Sequence, residues 1–536
     1  MPSRTDVVTL ARRLDEAVSS LRPGQREAME AVLERDTLAV LATGVGKTLV
    51  YQVAATRLDG PTVVVSPTLA LQADQAAALT DSGMSAARLD GRVRGRRREA
   101  LLDDFGSGRL EVLLVTPELL ASEEVGARIA TAEPSLLVVD EAHCVSAWGE
   151  DFRPDYAALG TVVERLRRPR VLALTATASP SVRAEIITTL RMRDPAVIVG
   201  DADRRNIWLG VRACRDEAHT TAEVAELVRG VQDGTAIVYV ATRRRTEELA
   251  AALTGQGLAT IPYHGGMPSR RRDEVHRAFH EGQARLVVAT SAFGLGVDRP
   301  DVRLVAHADP TESLDDYWQE AGRAGRDGEP ARAVLLTRPG GYGVRSYFAA
   351  GTGATAEDLT AVVHALRGGD ALRPAAVADA AGLGSRRSRR ALNALARIGA
   401  VREDRSGVRL VSDTAGGEVV ARALAFVEAM RERRETGVGL VRRYAETTDC
   451  RRRLVLETLG EEHPQPCGHC DSCDAGTAGA AVDRPFRIGA QVRHREFGPG
   501  TVSSYEEDRV VVLFEEAGYR TLALDLVEEQ QLLTGC

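Results

Sequence analysis

Leu38-Ala39-Val40-Leu41-Ala42-Thr43-Gly44-Val45-Gly46-Lys47-Thr48-Leu49-Val50-Tyr51-Gln52 sets a short apolar run before a glycine-bearing loop and then a helical pattern. Strand, loop and helix in that order make the context a phosphate-binding loop requires. The backbone N–H groups of Thr43, Gly44, Val45 and Gly46 and the helix N-terminus face the phosphates, Lys47 neutralises them, and the Thr48 hydroxyl ligates Mg2+. The general Gly-x-x-x-x-Gly-Lys pattern fails at its first position, where Leu41 stands. An ordinary glycine-rich turn is the alternative, and composition weighs against it. Of 69 basic residues, only Lys47 is a lysine. A compact ammonium is kept at the one place where it must reach phosphate oxygens inside a tight loop.

Working outward from this loop, runs rich in Val and Leu alternate with helical patterns: Leu38 to Leu41, Thr62 to Val65, Val112 to Val115, Leu136 to Val139 and Val171 to Leu174. Such alternation predicts buried parallel strands of α/β type, a first lobe over residues 1–205. A second series, Ala236 to Val240, Leu286 to Ala289, Val302 to Ala306 and Ala333 to Leu336, predicts a second α/β lobe over 206–345. A Gly-rich linker follows between Gly340 and Gly353. Three helices (Ala356 to Leu366, Pro374 to Ala381, Ser385 to Ile398) and a hairpin turning at Ser406-Gly407 then suggest a winged helix over 354–413. On its third helix Arg386, Arg389, Arg390, Asn393 and Arg397 share a face, either a DNA contact or a solvated basic surface. A helical pair, Glu418 to Arg434 and Gly437 to Glu457, leads into a cysteine cluster, together 414–475. Ala475 to Ala481 reads as a linker, and 484–536 alternates like a small β-barrel.

At 536 residues the chain suits three to five domains of roughly 100 to 200 residues each. No 18-residue apolar run or secretory pattern occurs, so a soluble, cytoplasmic protein with no membrane partner is expected. A net charge of -7 argues against coating nucleic acid by bulk attraction, and any DNA contact must be local. Seven cysteines give no disulfide framework, but Cys450, Cys467, Cys470 and Cys473 stand at metal-ligand spacing. Four thiolates suit a closed tetrahedral Zn2+ site, with an iron–sulfur cluster as the alternative and His469 as a neighbour.

Asp140-Glu141-Ala142-His143 follows the run Leu136 to Val139, so its carboxylates emerge where α/β sheets bind ligands. Asp140 would hold Mg2+, and Glu141 would orient and deprotonate an attacking water. Together with the upstream loop, the pair points to a nucleotide hydrolase using ATP and Mg2+.

The run from Asp140 through Cys144-Val145-Ser146-Ala147-Trp148-Gly149-Glu150-Asp151-Phe152-Arg153-Pro154-Asp155-Tyr156 resembles the segment of RecQ helicases that joins the DEAH box to an aromatic-rich loop. Ala147 and Glu150 depart from the commoner Gln and His. The resemblance assigns Trp148, Phe152 and Arg153 to sensing single-stranded DNA and, with His143, to coupling it to hydrolysis. Stacking on bases suits such side chains, and a core role for Trp148 and Phe152 is the alternative. Leu21-Arg22-Pro23-Gly24-Gln25 resembles the segment whose Gln reads adenine, which implicates Arg22 and Gln25. Ser66-Pro67-Thr68-Leu69-Ala70-Leu71 and Thr116-Pro117-Glu118 look like loops that grip the DNA backbone. Leu174-Thr175-Ala176-Thr177-Ala178 resembles the motif linking hydrolysis to DNA movement through Thr175 and Thr177.

In the second lobe, Tyr263-His264-Gly265-Gly266 and the run Ala289-Thr290 to Val297-Asp298 match the family's DNA-contacting and coupling motifs, with His264 and Thr290 toward DNA and Asp298 toward nucleotide. Gln319-Glu320-Ala321-Gly322-Arg323-Ala324-Gly325-Arg326 matches the arginine-finger motif, so closure of the cleft would bring Arg323 and Arg326 to the γ-phosphate, with Gln319 beside them. The cysteine region resembles the RecQ zinc subdomain.

The resemblance therefore implies an ATP-dependent DNA helicase with two RecA-like lobes, moving 3′ to 5′ on single-stranded DNA in repair and recombination, with duplex junctions as substrate; the sequence leaves the oligomeric state open, a monomer being one option. In RecQ proteins, however, a winged helix follows the zinc subdomain; here the winged-helix-like stretch precedes it. The tail, Ile488 to His494, Phe497 to Val502 and Val510 to Phe514, looks like the Tudor-like barrel ending UvrD and PcrA helicases, implying RNA polymerase or another protein as partner, or else a stabilising cap. An RNA helicase and a DNA-binding remodelling scaffold are the competing functions.

Overall fold

A computed structural model describes residues 21, 24–42, 46–145, 156, 158–294, 299–343, 353–404, 406–411, 416–479, 485–486, 488, 490–506, 508–514 and 517–535. The chain forms two compact units, one of 1–310, 314–339 and 444–483, the other of 311–313, 340–443 and 484–536.

The first unit contains two parallel sheets. Strands β1 (Thr37–Val40), β2 (Thr62–Val65), β3 (Ala86–Leu89), β4 (Val112–Val115), β5 (Leu136–Val139), β6 (Arg170–Thr175) and β7 (Ala196–Val199) line up in the order β3-β4-β2-β5-β6-β1-β7. Strands β8 (Ile207–Ala213), β9 (Thr235–Tyr239), β10 (Ile261–Tyr263), β11 (Leu286–Ala289), β12 (Val302–His307) and β13 (Ala331–Thr337) give β10-β11-β9-β12-β13-β8. The central strands are short apolar runs because helices cover both faces: every residue of β1, β2, β4 and β5 is buried. Adjacent β5, β6 and β1 run in register, with Val139 opposite Ala173 and Val40 opposite Thr175. Their C-terminal ends therefore deliver Asp140, Thr175 and the loop after Val40 to one edge.

In the second unit the helices Ala356–Ala365, Pro374–Ala380 and Ser385–Arg397 precede the hairpin β14 (Val401–Asp404) and β15 (Gly407–Leu410). Leu372 bonds Val408 in both directions, at 3.0 and 2.7 Å, and so adds a short third rung beside the hairpin. Helices and hairpin share one core that includes Leu359, Leu392, Leu395 and Val408. The third helix buries Ser388, Ala391, Leu392, Ala394 and Leu395. Arg386, Arg389 and Arg390 are exposed on its other side, Arg389 bonding Glu403 at 2.7 Å. The C-terminal strands β16 (Gln491–His494), β17 (Gly498–Glu506), β18 (Arg509–Phe514), β19 (Gly518–Ala523) and β20 (Leu533–Gly535) form an antiparallel sheet in the order β19-β18-β17-β16-β20 around a core of Val492, Val502, Val512 and Phe514.

The expected helical pair is instead one helix, Gly416–Glu446, and a shorter one, Arg451–Thr458. Gly437 does not break the helix. A Cβ there would stand 2.7 Å from the carbonyl oxygen of Glu312, so the glycine permits close approach of backbone and needs no turn. Among the described residues no helix is long and apolar enough to cross a membrane.

Candidate functional site

Gly46 caps the helix Lys47–Arg57 with φ 83°, a left-handed conformation that glycine adopts without steric cost. Gln25, buried on the neighbouring helix Gln25–Glu34, donates through Nε2 to the Gly46 carbonyl at 3.1 Å. The Lys47 ammonium lies 3.9 Å from Glu141 Oε1. Glu141 itself has φ 48°, a strained choice for a residue with a side chain, two residues after the end of β5.

Asp140 is 4 % exposed. Its Oδ2 accepts from Gln75 Nε2 at 2.6 Å and its Oδ1 from the Glu141 N–H at 2.9 Å. Burial, then the neighbouring Glu141 charge, pushes the Asp140 carboxyl up to about 6. Burial also raises Glu141, but Lys47, His143, Arg323 and Arg326 more than offset it and hold that carboxyl below its ordinary value. His143 places Nδ1 3.0 Å from Thr175 Oγ1 and 3.3 Å from Glu141 Oε2. Burial holds its imidazole below the usual histidine range, which keeps the ring neutral. The Thr175 hydroxyl donates to the Thr177 carbonyl at 2.9 Å.

The second sheet reaches the same place. Gln319, on the helix Leu314–Ala321, sits with Nε2 3.3 Å from His143 Nε2, and Ser179 N–H donates to Asp315 Oδ1 at 2.8 Å. Arg323, 4 % exposed, follows that helix directly. Its charge and that of Arg326 both act on Glu141. One lysine acts on both carboxylates at this strand end and two arginines on Glu141, an arrangement suited to a polyanion with a divalent cation.

Of the other positions singled out in the sequence, His264 bonds Glu247 at 3.0 Å through Nε2. Thr290 is buried at the end of β11, its hydroxyl without a hydrogen-bond partner among the described residues. Thr48 lies in the first turn of the helix after Gly46. Arg22, Thr43, Gly44, Val45, Trp148, Phe152, Arg153 and Asp298 lie outside the described residues. Sequence reading missed Gln75. Its signal was an amide repeated at Gln72 and Gln75 in an alanine- and leucine-rich helix, where Gln72 likewise bonds the Ser66 carbonyl at 3.0 Å.

The sulfur atoms of Cys450, Cys467, Cys470 and Cys473 all lie within 4.8 Å of one another, and those of Cys467 and Cys473 are 3.8 Å apart. Zinc–sulfur bonds of about 2.3 Å in a tetrahedron put sulfurs about 3.8 Å apart, so the donor set fits Zn2+. The Cys467 N–H points at Cys450 Sγ and the His469 N–H at Cys467 Sγ, each at 3.3 Å, as orienting partners of ligands do. His469 is not among the clustered ligands. The cluster is moored to the edge strand β8: Leu209 pairs with Cys470, Val211 N–H donates to Asp471 Oδ2 at 2.8 Å, and Trp208 Nε1 donates to Asp474 Oδ2 at 2.8 Å.

Comparison with known proteins agrees with this geometry. The DEAD/DEAH box helicase family matches residues 22–186, the helicase conserved C-terminal domain residues 220–328, and the RecQ zinc-binding family residues 420–474. The probable ATP-dependent DNA helicase RecS of Bacillus subtilis is 37% identical over 351 residues, 65% of this chain and 70% of RecS. The ATP-dependent DNA helicase RecQ of Pasteurella multocida is 36% identical over 324 residues, 60% of this chain but 51% of that RecQ, so the chain spans about half the length of this second relative. In fold it is similar to the Mycobacterium smegmatis helicase Lhr bound to ssDNA and AMP-PNP, with TM-score 0.50 and 22% identity over 78% of this chain and 61% of Lhr. Two helicase lobes, a RecQ-type zinc region after them and likeness to RecS over most of its length lead to one conclusion: the chain belongs to the RecQ/RecS family of superfamily 2 ATP-dependent DNA helicases.

Proposed function

We propose that this chain couples ATP hydrolysis to 3′ to 5′ movement along single-stranded DNA and separates duplexes at junctions, in the service of DNA repair and recombination. The observation that carries the reading is the meeting of the two lobes beside the paired carboxylates, with Lys47 3.9 Å from Glu141 and Gln319 3.3 Å from His143, where the charges of Arg323 and Arg326 also lower Glu141. The Lys47 ammonium and the loop N–H groups bind the phosphates, and Gln25 braces the loop from behind through Gly46. Glu141, held ionised by its cationic neighbours, orients the attacking water and takes its proton. Asp140 and Thr48 are the oxygen donors for Mg2+, which when bound neutralises the phosphate oxygens. Arg323 and Arg326 stabilise the charge that develops on the transferred phosphoryl group.

His143 is the relay between lobes. Neutral, it donates from Nδ1 to the Thr175 hydroxyl, whose own proton goes to the Thr177 carbonyl, and accepts at Nε2 from the Gln319 amide, so the strand end of one lobe and the finger helix of the other are read by one ring. In this reading His264 and Thr290 contact DNA from the second lobe, and Trp148, Phe152 and Arg153 stack on it from the first. Zn2+ held by the four cysteines is structural, since no ligand position is left open. The basic face of the third winged-helix segment contributes local DNA affinity, and the C-terminal sheet serves as a protein-docking module. A cytoplasmic location fits the absence of a membrane-spanning helix among the described residues.

Strand separation tests the reading. Purified protein with ATP should open a duplex carrying a 3′ single-stranded tail and leave a 5′-tailed duplex paired. ATP hydrolysis should be stimulated by single-stranded DNA over RNA of the same length. Hydrolysis without unwinding of either substrate would remove the helicase step from the proposal.

A further inference from the structure

The turn that carries Arg323 and Arg326 is gripped by a residue outside the motif. Arg204 lies in the segment between β7, the last strand of the first sheet, and β8, the first of the second. Its Nη1 donates to the Gly322 carbonyl at 2.8 Å, and its Nη2 to those of Ala324 at 2.8 Å and Gly325 at 2.9 Å. Asn206 adds Nδ2 bonds to Gly325 and Glu329, both at 2.8 Å. These carbonyls follow the C-terminal end of the helix Leu314–Ala321, where helix geometry leaves acceptors unpaired and favours a cation. Gly325 has φ 56°, and a Cβ there would stand 2.4 Å from Asn206 Nδ2, so turn and clasp fit closely.

The clasp is itself fixed from behind. Arg452, 1 % exposed and two residues after the metal ligand Cys450, forms an ion pair with Asp203 and donates to the carbonyls of Arg204 at 2.8 Å and Ile207 at 2.5 Å. Glu461 accepts the Ala202 N–H at 2.8 Å, and Trp318 on the finger helix donates to the Ala202 carbonyl at 3.0 Å. Residues 202–207 are thus bonded to the finger helix on one side and to the cysteine region on the other. A planar guanidinium that bonds three carbonyls of one turn leaves that turn little freedom.

We infer that Arg204, held by Arg452, is a positioning residue for the arginine finger: the connector between the lobes sets the aim of Arg323 and Arg326, and the cysteine region sets the connector. This rests on the finger role proposed above. Arg204 touches neither nucleotide nor DNA in this scheme and acts only through the turn.

The test is steady-state ATP hydrolysis by the full chain at saturating single-stranded DNA, with Arg204→Ala, Asn206→Ala, Arg323→Ala and the Arg204→Ala/Arg323→Ala double variant. Displacing a catalytic group by about 1 Å costs on the order of 100-fold, so Arg204→Ala should lower kcat about 10- to 100-fold. The milder Asn206→Ala should lower it less. KM for ATP, ADP affinity and DNA affinity should stay within about twofold of the parent, because the loss falls on the transition state alone. The double variant should be no slower than Arg323→Ala. Parental kcat in Arg204→Ala, ADP binding that falls in step with kcat, or additive losses in the double variant would each overturn the inference. An Arg323→Ala variant with parental kcat would instead remove the finger role itself, a separate failure.

Discussion

In the first lobe Asp140 and His143 each have a partner from their own lobe. Asp140 leans on Gln75 from the helix after β2, and His143 on Thr175 at the end of β6. In the second lobe the turn bearing Arg323 is held by Arg204 and Asn206 from the connector, and the connector by Arg452 from the cysteine region. The contrast follows from what each side must do. Groups that hold a bound polyanion must be preorganised before it arrives, whereas groups that complete the site on closure must register the position of the parts that move. The first lobe accordingly orients Asp140 from within, although its His143 also reaches Gln319, and the finger turn of the second depends on its surroundings.

The comparison can be broken at several points. Arg323→Ala should cause the largest loss, about 1,000-fold in DNA-stimulated kcat with little change in ATP affinity, measured as phosphate release. Glu141→Gln should follow at about 100-fold or more, with nucleotide still bound, measured by fluorescent-nucleotide titration. Gln75→Ala should raise the Mg2+ concentration needed for half-maximal rate by about 10-fold, because Asp140 loses its orienting amide. A normal Mg2+ requirement would show that the first lobe does not rely on this support. Cys470→Ser should reduce bound zinc below one ion per chain by elemental analysis and lower Tm by about 5 °C. It should also lower kcat several-fold at temperatures where the chain stays folded. An unchanged kcat there would mean that the second lobe stands alone after all.

The motifs were legible because their members are neighbours in the chain. The phosphate loop, Asp140-Glu141 and the finger run each fall within a dozen residues, and among the described residues Lys47 stands 3.9 Å from Glu141, on which the charges of Arg323 and Arg326 also act. The supports were not legible, because they pair across the fold: Gln75 with Asp140 over 65 residues, Arg204 with Gly322 over 118, Arg452 with Arg204 over 248. The same division runs through the strands. All nine central strands of the two sheets announced themselves as apolar runs, give or take a residue or two at their ends. The four that escaped notice, β3, β7, β8 and β10, are the edges of their sheets; β3, β8 and β10 are mixed in composition, whereas β7 is a wholly apolar run whose side chains are half-exposed and which composition alone should have marked. Gly437 misled in the other direction, since a glycine marks close approach as readily as a turn.

The solitary lysine has a practical consequence. Reagents that acylate primary amines meet a single side-chain target among 536 residues, and that target, 15 % exposed, faces Glu141. Labelling of the intact protein at this position should therefore report nucleotide occupancy directly, as protection by ATP, without any engineered tag.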